Sequence, residues 1–137
     1  MSAQLDELLP KMASTHAKFV AYVGALDDAA ANTPVGEEHW TPRQIVGHLV
    51  DAERAHRRFI EAVAADTPPA PVDDFDLDRW NASRVAKRAG QSLADLLAAY
   101  DSERAETVRV LQGLPDDAWA KRGVHPVFGD TSVEYIA

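Results

Sequence analysis

Over the first thirty residues, Leu5, Leu8, Leu9, Met12, Phe19, Val20, Val23 and Leu26 recur at steps of three and four. A helix returns to the same side about every 3.6 residues, so this spacing predicts an amphipathic helix over roughly 3–30 with one buried stripe. His16 falls in register with that stripe. Pro10 interrupts the pattern, because an interior proline loses a backbone hydrogen bond and clashes with the preceding turn. The helix therefore begins near Pro10 or kinks there.

Asn32-Thr33-Pro34-Val35-Gly36 reads as a loop, and Thr41-Pro42 as a helix start in which Thr caps and Pro takes the first helical position. A second helix is expected from 42 to about 65. Its inner face collects Ile45, Leu49, Ala52, Phe59 and Ile60, with Arg54, Arg57, Arg58 and Glu61 opposite. His48 sits at the edge of the apolar stripe and His56 near its middle. The run Asp66-Thr67-Pro68-Pro69-Ala70-Pro71 cannot be helical, and Asp73, Asp74, Asp76 and Asp78 extend a long polar connection. A short helix around 77–88 is expected within it.

Ser92 with Asp95 three residues on is a capping pair that opens a third long helix. Its stripe is Leu93, Leu96, Leu97, Tyr100, Arg104, Val108 and Leu111, and Gly113 with Pro115 ends it. Arg104 is the charged member of the stripe, so it needs a carboxylate or carbonyl partner or must line a polar cavity. Thr131-Ser132-Val133-Glu134 has the form of another capping box, with Thr131 capping a fourth helix that starts at Val133 and is cut short at Ala137. The pattern is that of an all-α protein.

At 137 residues the chain suits one domain, 1–137, and its 46% apolar and 26% charged residues are those of an ordinary globular protein. The net charge of −8, with no basic cluster beyond Arg54, Arg57 and Arg58, argues against nucleic acid as a partner. No stretch approaches the ~18 apolar residues of a membrane span, and the N-terminus lacks a basic region followed by an apolar core. No membrane partner and a cytoplasmic location are therefore expected. Cysteine is absent, so disulfides, thiolate nucleophiles and sulfur-ligated metals are excluded, and a metal would use His and carboxylate donors.

His48 and Asp51 lie three apart on one helix and are neighbours there. Such a pair is more often hydrogen-bonded than metal-bound. His16 and His56 read as core or interhelical histidines. His39 and His125 read as loop residues, His125 having the better functional prospect because it lies near the start of the fourth helix. The seven glycines form no phosphate-binding loop, and the serines stand in helical or capping contexts that do not suit a nucleophile.

The stretch Trp40-Thr41-Pro42-Arg43-Gln44-Ile45-Val46-Gly47-His48-Leu49-Val50-Asp51-Ala52-Glu53 resembles the opening of the second helix of DinB-like proteins. Phe75-Asp76, Trp80-Asn81, Ser92-Leu93, Leu114-Pro115-Asp116 before Trp119, and Gly123-Val124-His125-Pro126 before Gly129-Asp130-Thr131 resemble the same family in the same order. The resemblance implies a four-helix bundle of up-down-down-up type whose last helix is incomplete in this chain. It is similar to bacterial thiol-dependent transferases and isomerases, in which one histidine of the second helix and two of the fourth hold a divalent metal (Ni, Zn or Fe).

Carried over, only His48 matches a ligand. The other two histidines would stand four apart beyond Ile136, so the metal site is incomplete here, and Asp51 and Arg104 match its neighbourhood only. Two functions follow. One is a metal-dependent transferase or hydrolase acting on a low-molecular-weight thiol or other small molecule. The other is a metal-free helical module acting through homodimerisation or partner binding.

Overall fold

The computed structural model describes residues 3–35, 40–72 and 74–137. Gly36, His39 and Asp73, named above, lie outside the described residues. The first helix, α1 (Ala3–Gly24), runs unbroken through Pro10, which is exposed, so the carbonyl it leaves without an intrahelical partner can be met by solvent. Helix formation stops at Gly24, earlier than the periodicity suggested. A separate turn, α2 (Asp28–Ala31), follows because the Asp27 side chain accepts from Ala30 N and restarts the helix.

The next helix, α3 (Pro42–Ala64), starts as expected. Thr41 and Gln44 form a reciprocal capping box and Pro42 takes the first turn, where its missing N–H costs nothing. At the other end Asp66 adopts a left-handed φ of 60° that turns the chain out of the helix. A shorter helix, α4 (Leu77–Lys87), is capped by Asp76, and α5 (Leu93–Gln112) by the Ser92–Asp95 box. Among the described residues no helix is long and apolar enough to cross a membrane.

The segment after α5 departs from a purely helical reading. A 3₁₀ turn (Asp116–Ala120) leads into an antiparallel hairpin of β1 (Arg122–His125) and β2 (Gly129–Ser132), with Arg122 opposite Ser132 and His125 opposite Gly129. The three-residue connection ends at Gly129, whose φ of 68° few other residues adopt. Four-residue strands are too short to announce themselves by alternation. A Cβ added at Gly123 would lie 2.8 Å from Val63 Cγ2 and 3.2 Å from Phe59 Cζ, so this glycine is what lets the hairpin lie on α3. The last helix, α6 (Val133–Ile136), is capped by Ser132, which accepts from Tyr135 N. Thr131, expected to be the cap, is instead buried in β2 opposite Gly123.

The apolar core is in two pieces. Leu5, Phe59, Ile60, Val63, Leu111, Trp119 and Val133 form one, at the end of the bundle where the hairpin and α6 sit. Val23, Val46, Val50, Leu96 and Tyr100 form the other, at the opposite end of α1, α3 and α5. Val46 and Val50 belong to the buried face of α3 although the sequence pattern passed over them. Arg57, expected on the outer face, is 9% exposed, for reasons that lie between the two clusters.

Candidate functional site

Between the two apolar clusters the facing helices carry ionisable side chains: His16 on α1, Glu53, Arg54, His56 and Arg57 on α3, and Tyr100 to Arg104 on α5. Three carboxylates paired with four arginines hold this belt and its flank together. Asp51, 6% exposed, receives Arg88 Nε on Oδ2 at 2.8 Å and Arg88 Nη2 on Oδ1 at 2.9 Å. A forked contact of this kind is geometrically specific, and it raises the Arg88 pKa chiefly through the hydrogen bond to Asp51. Arg88 also donates to Gln91 Oε1 at 2.9 Å, so Asp51 ties α3 to the end of α4.

Glu53 pairs with Arg104, with Nε 2.8 Å from Oε1 and Nη2 3.2 Å from Oε2, and Arg104 also reaches the Tyr100 hydroxyl at 3.5 Å. The partner that Arg104 required is therefore Glu53. Tyr100 is pushed up from its ordinary value, first by burial. Glu103 accepts from Arg54 Nη2 at 2.6 Å and from Arg57 Nη1 at 2.6 Å, and Arg57 Nη1 also donates to the Glu103 carbonyl at 3.1 Å. Burial pushes the Glu103 carboxyl up, but the hydrogen bonds from the two arginines outweigh it and the net direction is down. Glu103 thus explains why Arg57 is inside.

The histidines divide between this belt and its edges. His16 Nε2 lies 2.6 Å from Asp101 Oδ1, and its ring packs on Tyr100 at 4.8 Å, an interhelical role as expected. His56 is lowered from its ordinary value by burial, with Glu53 opposing and His48 reinforcing the shift. Its ring meets His125 at 5.3 Å and Phe128 at 6.1 Å. His125 is a buried end-of-strand residue rather than a loose loop residue. His48 is half-buried two turns before His56, its ring 5.3 Å from Trp40, which the Val35 N–H holds by its carbonyl at 2.8 Å.

A cavity of about 240 Å³ opens on the belt between α1, α3, α5 and α6, walled by Met12, Glu53, His56, Arg104, Thr107 and Ile136. Lined by a neutralised ion pair and an imidazole whose burial favours the uncharged form, it can take a small polar molecule. A metal centre is a different matter. A catalytic one needs about three converging donors, and among the described residues no three His, Asp or Glu side chains are grouped to hold a metal ion. Asp51, the carboxylate next to His48 on its helix, has both oxygens on Arg88, so the anticipated His48–Asp51 neighbourhood supplies no second donor. These residues do not by themselves fit a three-ligand centre.

Glu53, Arg88 and Glu103 were not singled out in the sequence. The signal available for Glu103 was Arg54 and Arg57 one turn apart, read as a solvated face although two cations on one side of a helix equally imply a facing carboxylate.

Comparison with known proteins places this architecture. A model of the DinB superfamily matches residues 12–137. The Bacillus subtilis (strain 168) protein named "Putative metal-dependent hydrolase YfiT" is 26% identical over 124 residues, 90% of this chain and 67% of that protein. The solved structure of YfiT, described as "a probable metal-dependent hydrolase with an unusual four-helix bundle topology", superposes with a TM-score of 0.77 at 21% identity, over 98% of this chain and 76% of that one. TT2238, a four-helix bundle protein, superposes with a TM-score of 0.68 at 21% identity, over 96% of this chain and 85% of its own.

Proposed function

The chain belongs to the DinB superfamily, and on that premise we propose that it is a divalent-metal-binding protein, a metal-dependent hydrolase or thiol transferase, in which His48 is one metal ligand. The observation that carries this reading is the setting of His48: half-buried on α3, braced by Trp40, and two turns from His56, which lines the belt cavity. The name of its Bacillus subtilis relative supports a metal in general terms. The donors that would complete the centre are not among the described residues, so no reaction step is assigned to it. The substrate is a small molecule, such as a low-molecular-weight thiol, taken into the cavity beside His56.

One observation favours a second reading. Asp51 and Glu53 are both neutralised by arginines, so the inner faces are charge-balanced without any cation. On this reading the chain is a metal-free module that acts as a homodimer.

Metal content separates the two. The purified protein is expected to carry nickel, zinc or iron in stoichiometric amount, measured by mass spectrometry of the digested sample, and His48→Ala to lose it. Metal-free protein at neutral pH, together with a concentration-dependent dimer in sedimentation, would sink the first reading in favour of the second.

A further inference from the structure

His125 closes β1 and is 7% exposed, whereas Val124, Val127 and Phe128 around it are 42%, 47% and 48% exposed. The hairpin tip is thus an exposed loop pinned by one buried ring. The pin has a defined chemistry. His125 Nδ1 accepts the backbone N–H of Val127 at 3.0 Å and that of Phe128 at 3.3 Å. An imidazole accepts only through an unprotonated nitrogen, so the ring that makes these bonds is neutral, with its proton on Nε2.

We propose that neutral His125 is a latch that holds the hairpin tip, residues 126–128, on α3, and that its protonation releases the tip and uncovers His56. A proton on Nδ1 occupies the lone pair that both backbone donors use and sets N–H against N–H. The cation would also sit in an apolar, aromatic seat: Phe59 edge-on at 5.1 Å, Phe128 at 4.9 Å and His56 at 5.3 Å.

The charged neighbours do not rescue it. On α3 the facing titratable group is His56, with Glu53 acting on His56 behind it. In the hairpin, Arg122 and Asp130 neutralise each other at 3.2 Å across the strands and are mostly exposed. From α6, Tyr135 packs on Phe128 at 5.9 Å, and Glu134 is exposed. Burial first, and then His56, lower the His125 pKa.

The sign follows from that direction. A histidine depressed in the folded state stabilises the fold fully above its unfolded value, and the contribution is lost as pH falls below that value toward the folded one. The latch therefore holds at neutral pH and loosens as pH falls below the ordinary histidine value toward the lower folded one. His56 forms a wall of the belt cavity and is covered by His125 and Phe128. Opening the tip exposes that wall. This behaviour needs no metal and stands whether or not His48 binds one.

NMR on the whole chain, from about pH 8 down through the His125 titration, tests it. The amide resonances of Val127 and Phe128 should move with the His125 ring titration. Their exchange protection, corrected for intrinsic rates, should fall by up to about tenfold per pH unit between the ordinary histidine value and the lower folded His125 value, and the His56–Phe128 ring contact should disappear. His125→Asn keeps a side-chain acceptor in nearly the same place but cannot titrate, and should hold the tip across the whole range. Tip amides that ignore the wild-type His125 titration would overturn the proposal, as would a His125→Asn variant that opens like wild type. If that variant does not fold, the wild-type titration decides alone.

Discussion

Replacing Glu103 by alanine should destabilise the protein by about 3–5 kcal/mol, the cost of removing one partner from a buried ion pair. The figure turns on what is left behind. Arg57 has only 11% of its side chain exposed, and besides the Glu103 carboxylate its contacts are the Glu103 carbonyl and a longer contact to the exposed Glu61 at 3.6 Å. Arg54 is 41% exposed and recovers hydration more readily, so most of the penalty belongs to Arg57. Glu103→Gln, which keeps one acceptor oxygen, should cost less. A double variant, Glu103→Leu with Arg57→Met, should restore much of the loss by removing the stranded charge along with its partner. Urea unfolding followed by circular dichroism gives these differences directly. A loss under about 1 kcal/mol for Glu103→Ala would mean that the clamp behaves as a surface pair. Because the Glu103 carboxyl is held below its ordinary 4.5, its contribution is present above that pH and is lost as pH falls through the lower folded value.

That pair also shows where a linear pattern stops being informative. The long helices were legible because each is a local fact: Thr41 with Gln44 and Ser92 with Asp95 cap their own first turns, and the three- and four-residue steps report one face. Pairs between helices are not local. Arg88 and Asp51 are 37 residues apart and Arg57 and Glu103 are 46 apart, so nothing in the spacing within either helix announces them. Arg104 was the exception, because a charge in the middle of its own apolar stripe demands a partner, and Glu53 is that partner. The hairpin was missed for another reason. Its strands are four residues long and are made by Gly123 fitting against Phe59 and Val63, a contact between distant segments.

The metal reading has the same asymmetry. His48 was weak as a spacing signal beside Asp51, and the structure makes it weaker by giving Asp51 to Arg88. What raises it is membership of the DinB superfamily and the position of His48 on α3, a few residues from a cavity lined by His56. The belt between the two cores is thus built for two tasks. Its arginine–carboxylate pairs fix the register of α3 on α5, and His56 lines the cavity in which we propose that a ligand binds.

The two-part core predicts how the protein should fail when one part is removed. Trp119, 1% exposed on the 3₁₀ turn, packs in the cluster with Leu5, Phe59, Ile60, Val63, Leu111 and Val133. Its Nε1 has no hydrogen-bond partner among the described residues, so truncation loses packing rather than a polar contact. Trp119→Ala should therefore cost about 3–5 kcal/mol, the lost transfer energy plus the cavity left behind. That is a large part of the 5–15 kcal/mol by which a domain is typically stable. The loss should not be even. Val133 N donates to the Lys121 carbonyl at 3.0 Å, so the hairpin and α6 hang on the segment that Trp119 anchors. Val46, Val50 and Leu96 lie beyond the charged belt in the other cluster. Hydrogen exchange on the variant should then show the hairpin, α6 and the start of α1 opening well before the first turns of α5. Uniform loss of protection across α1, α3 and α5 would mean that the belt couples the two clusters into one cooperative core, and the division proposed for them would fail.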